Sequence, residues 1–172
     1  HPSTRLEGCG HTVHYACLHQ QLAARWPGPE VSFACMSCPI CRTPVAHPSL
    51  DRVLAPLRAV QRRVLTKLAA VLEVEGTPVD ASLSAGARDA ALLAALPAFD
   101  FYMCFRCTMP YYGGRHLQCN REGPAGPAEE QLCGACMAHV SGARCDKHGD
   151  EFVQFKCRYC CTPAVWFCFG ST

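Results

Sequence analysis

Fifteen of the 172 residues are cysteine, and their spacing limits the fold more than any other feature of the chain. Five C-x-x-C pairs occur, at Cys35/Cys38, Cys38/Cys41, Cys104/Cys107, Cys133/Cys136 and Cys157/Cys160. C-x-H at Cys9/His11 and C-x-x-H at Cys145/His148 stand beside them. Thiols this close suit a tetrahedral Zn²⁺ better than a disulfide framework, and the odd cysteine count points the same way. The formal net charge of +2 counts thiols as neutral. A zinc held by three thiolates and a histidine adds one negative charge, and one held by four thiolates adds two. The metal-loaded chain is therefore near neutral or acidic, and a nucleic-acid partner gains nothing from charge. No apolar run reaches the length of a membrane span and no signal peptide is seen, so no membrane partner is expected and the setting is cytoplasmic or nuclear. A start at His1 suggests a piece of something larger.

Between two thiol-rich ends the chain reads as helical. Residues 48–76 lack cysteine, and Leu50, Leu54, Leu57, Val60, Val64, Leu68 and Leu72 follow the three-and-four spacing of one apolar face. That stripe is core packing rather than a cofactor site. Pro56 is expected to open the main helix, where its missing N–H costs nothing, and Gly76 to stop it. Residues 77–100 are a Pro/Ser/Gly connector leading into a short Ala/Leu helix ended by Pro97. From Cys104 onward, loops and short hairpins held by metal are expected, because such segments bury too little apolar surface alone. No clean internal repeat is visible.

The order Cys9, His11, His14, Cys17, then Cys38 and Cys41, resembles the second part of a RING-H2 domain. The resemblance implies a cross-braced site of Cys9, His11, Cys38 and Cys41. It also implies that His14 and Cys17 are half of a second site whose first C-x-x-C is absent before His1, so that site should bind zinc poorly. Cys35 could pair with Cys38, but C-P-I-C fits the pattern better, which leaves Cys35 as a buried thiol. By the same resemblance Pro39, Ile40 and Trp26 match the groove that docks a ubiquitin-conjugating enzyme (E2), although Trp26 fits a core position equally well. Arg42 matches a basic residue that holds E2-linked ubiquitin in a folded-back state.

In the C-terminal block the candidate ligands are Cys104, Cys107, Cys133, Cys136, Cys145, His148, Cys157, Cys160 and Cys161. Nine ligands cannot fill two four-ligand sites, so one is idle or a further site is completed elsewhere. Cys119 and Cys168 remain. Cys119 lies beside the Gly/Pro-rich loop 121–130, near Arg115, His116 and Arg121, and cationic neighbours favour a reactive thiolate. Cys168, among Trp166, Phe167 and Phe169, reads locally as a buried inert thiol.

A RING, a helical linker and then "YMCFRC", "YYGG", "LCGAC", "CDKHG", "FKCRYCC" and "FCFG" closely resemble the C-terminal region of the PHR family of ubiquitin ligases. That resemblance spans nearly the whole chain. It implies a small zinc-stabilised α+β protein: a partial RING-H2 domain over 1–47, a linker helix over 48–76, a connector over 77–100 and a loop-rich tandem-cysteine zinc domain over 101–172. It further implies a RING-Cys-relay, in which Cys119 accepts ubiquitin from a RING-bound E2, Cys168 receives it from Cys119, and a threonine or serine of a protein substrate is esterified. Glu130 matches an acidic residue near the second thiol, and Phe169 with neighbouring aromatics would form an apolar pocket for the threonine methyl. The family's catalytic histidine falls past "FGST", so impaired final transfer is expected of this chain. The family setting is the neuronal axon and synapse. Two rival readings are a conventional RING ligase acting on lysine and a non-enzymatic zinc scaffold.

Overall fold

A computed structural model of the chain describes residues 2–115 together with Leu132, Cys133 and Cys136. It is small and α+β, with short helices and two two-stranded sheets among the described residues. Two compact units divide it: residues 1–28 with 32–62, and residues 29–31 with 63 onward.

In the first unit, β1 (Ser3–Arg5) pairs antiparallel with β2 (Thr12–His14), and α1 (Tyr15–Ala24) follows at once. Leu18 and Leu22, one helical turn apart, turn to the interior and are buried. They join Leu6, Cys35, Cys38, Val45, Leu50, Leu54 and Leu57 in one core. The Gln21 side chain donates to the carbonyls of Cys35 (2.7 Å) and Ser37 (3.1 Å). That pair of bonds fixes the short 3₁₀ turn Ala34–Met36 just ahead of the second metal-ligand loop.

A 3₁₀ turn at Pro48–Leu50, capped by His47 through its side chain, leads into α2 (Asp51–Val74). This departs from expectation: α2 begins five residues before Pro56, which lies inside it. Proline leaves the Arg52 carbonyl without its helical donor. The burial of Leu50, Leu54 and Leu57 outweighs that loss and sets the start upstream. The expected stripe is otherwise as read, except that Val60 is half-buried while Leu65 and Val71 are buried as well. At the far end Gly76 adopts φ 76°. The Thr77 N–H donates to Leu72 O (2.9 Å) and the Gly76 N–H to Glu73 O (3.2 Å). These are the paired bonds of a Schellman stop, which needs a residue tolerant of left-handed backbone.

The second unit takes α2 from Arg63, then α3 (Ala85–Ala95), capped by the Ser84 hydroxyl accepting from the Ala87 N–H. A 3₁₀ turn at Leu96–Ala98 holds Pro97 in its first turn. β3 (Phe99–Met103) and β4 (Pro110–Arg115) form an antiparallel hairpin, and residues 29–31 bond along the other side of β3. Asp100 pairs with Gly114 but Phe101 with Tyr112, so Gly113 is the extra residue of a β-bulge. The ring of Tyr102 covers the spot where a Gly113 side chain would be. Tyr102 packs across the hairpin against Tyr111, the rings tilted at 43° with centroids 6.0 Å apart, and both are buried with Cys104 and Cys133.

Candidate functional site

Three hairpin tips carry ligand chemistry, and they share one backbone design. They span residues 6–11, 38–43 and 104–109. Each is flanked by a paired couple: Arg5↔Thr12, Ser37↔Pro44 and Met103↔Pro110. In each, the first residue's N–H donates to the carbonyl of the sixth, at 2.9 Å (Leu6 to His11), 2.8 Å (Cys38 to Thr43) and 3.0 Å (Cys104 to Met109). The fifth residue's N–H returns to the carbonyl of the first at 2.9 Å in all three, from Gly10, Arg42 and Thr108. That fifth residue has positive φ every time: 71°, 65° and 55°. Sequence reading missed this repeat because the three six-residue strings share only the cysteine at their fourth place.

The first two tips are brought together by the Glu7 N–H donating to Ala46 O at 3.0 Å, while Val45 N–H to Met36 O at 2.8 Å closes the base of the second hairpin. Cys9, His11, Cys38 and Cys41 then present ligand atoms that all lie within 4.8 Å of one another. Cys38 Sγ sits 3.8 Å from His11 Nδ1. The third tip forms a second cluster of the same compactness from Cys104, Cys107, Cys133 and Cys136. There Cys107 Sγ and Cys133 Sγ are 3.7 Å apart. A disulfide needs about 2.05 Å, whereas the edge of a tetrahedron with metal–sulfur bonds of about 2.3 Å is about 3.8 Å. The described cysteines are free thiols. Three thiols with an imidazole, and four thiols, are donor sets matched to a closed tetrahedral zinc site, so both clusters could bind zinc.

Electrostatics within the clusters agrees with a need for a cation. The Thr43 hydroxyl and backbone amide draw the Cys41 thiol down to about 6. In the second cluster burial works against ionising Cys104, but the backbone amides of Cys107 and Cys133 outweigh it and bring that thiol to about 7. The Cys133 N–H reaches Cys104 Sγ at 3.2 Å. Burial pushes Cys133 itself up to about 12. The protein's own groups thus favour ionising Cys41 and Cys104, and a cation among the ligands would favour thiolates at this spacing further.

Other expected site residues fall out as follows. His14 closes β2 and Cys17 lies in the first turn of α1, both exposed; neither belongs to a four-residue cluster among the described residues. Cys35 is buried, its thiol pushed up by that burial, and stands outside the cluster. Trp26 packs partly buried against the first unit's core, edge-on to Phe33. Pro39, Ile40 and Arg42 are exposed on the second tip, Ile40 at 61%. Cys119, Glu130, Cys145, His148, Cys157, Cys160, Cys161, Cys168 and Phe169 lie outside the described residues. Arg115 departs from expectation. Rather than offering a loose cation toward Cys119, it makes a two-pronged ion pair with Glu75 (3.2 and 2.6 Å) and lies 5.1 Å over the Phe99 ring. Its charge is already answered, by a partner forty positions away that no local reading could supply.

Thr43, which tunes Cys41, and Phe105, exposed between Cys104 and Cys107, were not singled out by sequence. The only sequence signal for Phe105 is an aromatic inside a C-x-x-C pair. No described helix is long and apolar enough to cross a membrane.

Fold and site together define a small α+β protein with two hairpin-borne cysteine/histidine clusters of zinc-binding type. No protein-family model matches the chain. Over 172 residues, 99% of its length, it is 39% identical to the E3 ubiquitin-protein ligase highwire of Drosophila melanogaster. Over 177 residues it is 37% identical to the E3 ubiquitin-protein ligase MYCBP2 of Danio rerio. It spans 3% and 4% of those two proteins' lengths. The chain belongs to the highwire/MYCBP2, or PHR, family.

Proposed function

We propose that this chain transfers ubiquitin as part of an E3 ligase, by a cysteine relay fed from a RING-bound E2. One observation carries the reading: Ile40 is 61% exposed on a tip whose Cys38 is fully buried and belongs to a four-ligand cluster. An apolar side chain held out on a rigid support suits docking, because little freedom is lost on binding. Pro39 and Arg42 on the same tip, with Trp26, extend the E2 surface. Cys9, His11, Cys38 and Cys41 would hold one zinc and Cys104, Cys107, Cys133 and Cys136 another; with four protein donors offered to each, the metal would serve structurally rather than as a Lewis acid. The setting is cytoplasmic, with the neuronal locale that the family resemblance implies.

In the chemistry that follows, the Cys119 thiolate attacks the carbonyl of E2-linked ubiquitin. A new C–S bond forms and the E2 thiolate leaves. Cys168 repeats the exchange on the Cys119 thioester. A substrate threonine or serine hydroxyl then loses its proton to a base, its oxygen forms the ester, and the Cys168 thiolate departs. Glu130 and Phe169 support that last step, the ring offering an apolar surface to the threonine methyl. The two thioester exchanges are nearly isoenergetic, so positioning governs them more than driving force does. Cys145, His148, Cys157, Cys160 and Cys161, with the incomplete His14/Cys17 pair, supply the ligands of further zinc sites.

Labelled ubiquitin on a non-reducing gel tests this in a longer chain that includes the residues after "FGST". Cys119→Ala should abolish thioester on the ligase. Cys168→Ser should retain loading at Cys119 and lose transfer to threonine. Full threonine esterification by Cys119→Ala would remove the relay. Lysine products without a reducible adduct would establish the second reading, a conventional RING ligase, which Arg42, exposed next to Cys41, favours.

A further inference from the structure

The third tip is built like the second and also exposes an apolar side chain. Phe105 is 56% exposed between Cys104 and Cys107, against 61% for Ile40 between Cys38 and Cys41. Both tips rest on a buried first cysteine, 1% and 0% exposed, and on the same two backbone bonds. Phe105 is therefore presented by a fixed backbone, so a partner gains contact area without ordering a loop. Met109, the last residue of this tip, adds a second exposed apolar group.

The charged side chain on this tip, and the one that reaches it from α2, are both guanidiniums. Arg106 is exposed next to Phe105, and the exposed Arg63 donates to Met109 Sδ at 2.6 Å. From Phe101 to Arg115 there is no carboxylate, and none stands in α2 between Asp51 and Glu73. Of the cluster's sulfurs, Cys104 and Cys133 are buried and Cys104 accepts a backbone N–H, while Cys107 is exposed beside Arg106. On this tip an approaching chain meets the Arg106 and Arg63 guanidiniums together with one exposed sulfur. Guanidinium beside an aromatic face is a receptor for carboxylates flanking an apolar anchor.

We infer that the Cys104–Met109 tip is a second docking surface, which binds an acidic segment with an apolar anchor in the acceptor protein. The inference rests on the transferase reading above. It gives that reading a place where an acceptor is held while its hydroxyl is esterified.

The probe is a short fluorescein-labelled peptide with a leucine–phenylalanine pair flanked by aspartates, read by fluorescence polarisation on the metal-loaded chain. A matching peptide flanked by lysines is the control. Binding should weaken about tenfold or more with Phe105→Ser and with Arg106→Glu, and should fall as salt rises. Leu83→Ser, which removes an exposed apolar side chain elsewhere in the same unit, should leave it unchanged. Arg106→Glu replaces an exposed side chain, and metal content measured on both variants separates loss of the surface from loss of the cluster. Equal binding by wild type and Arg106→Glu, equal binding of the lysine peptide, or Phe105-dependent binding of ubiquitin or a single-stranded oligonucleotide in its place would overturn the inference. Discharge of ubiquitin-loaded E2 is measured in parallel with the longer wild-type chain used to test the transferase reading. Discharge without peptide binding overturns the tip alone, whereas peptide binding without discharge overturns the acceptor role along with the transferase reading.

Discussion

Gly113→Ala should damage the second unit far more than an added methyl group suggests. Gly113 is buried at the bulge of β4, and a Cβ there would coincide with the Tyr102 ring. Its backbone lies outside the left-handed range, so alanine meets no conformational penalty and the whole cost is steric. Overpacking a filled interior costs about 1–3 kcal/mol. The upper end applies here, about 3 kcal/mol, because what must move is a ring 3% exposed and packed against Tyr111, not a flexible chain end. Since both tyrosines pack with Cys104 and Cys133, the second metal cluster should loosen too. Urea denaturation followed by circular dichroism gives the stability change, and chelator competition gives the metal affinity. The decisive comparison is a double-mutant cycle. Tyr102→Ala alone should cost about 3–5 kcal/mol. On that background Gly113→Ala should cost less than about 0.5 kcal/mol, since the obstructing ring is gone. Additive losses, or a Gly113→Ala protein as stable as wild type, would refute the steric account.

Removing metal with excess chelator should unfold the hairpin tips of both clusters, because binding energy there is folding energy; unchanged circular dichroism and hydrogen-exchange protection would contradict this. Thr108→Gly should stabilise the second unit by about 0.5–1 kcal/mol, by relieving a β-branched residue held at φ 55°, as measured by thermal melting. Ile40→Ala should weaken binding of a ubiquitin-loaded E2 about tenfold in titration while metal content stays constant.

The parts legible in sequence were those set by local chemistry. C-x-x-C spacing singles out Cys38, Cys41, Cys104, Cys107, Cys133 and Cys136, which do gather in clusters, but it offers Cys35 as well, which does not; the Leu/Val period with Gly76 identifies the body and end of α2. Where non-local packing decides, reading fails. Pro56 is tolerated inside α2 because Leu50, Leu54 and Leu57 are buried on a core assembled from elsewhere in the first unit. Arg115 looks free in sequence and is held by Glu75 in space. The three tips are alike in hydrogen bonding rather than in residues, since glycine, arginine and threonine all occupy the positive-φ place. The partition of Cys9, His11, Cys38 and Cys41 into one cluster was legible only through family resemblance, since spacing alone permits other pairings.

The clusters also impose an order on folding. Each joins ligand pairs that are close in sequence, and the gap between pairs is nearly the same: 27 positions from His11 to Cys38, 26 from Cys107 to Cys133. A six-residue tip closes on the timescale of the shortest loops, about 10–100 ns, and can hold an ion by two ligands before anything else is in place. Joining it to its distant partner costs loop-closure entropy that grows only with the logarithm of the gap, so the two clusters face closely similar penalties. An ion captured early turns that closure into a reaction between tethered ends at high effective concentration. In a nascent chain, Cys9 and His11 emerge well before Cys38 and Cys41, and Cys104 and Cys107 before Cys133 and Cys136. Metal supply during synthesis therefore decides whether each leading pair waits loaded for its partner or remains a reactive, oxidisable thiol while the rest of the chain is made.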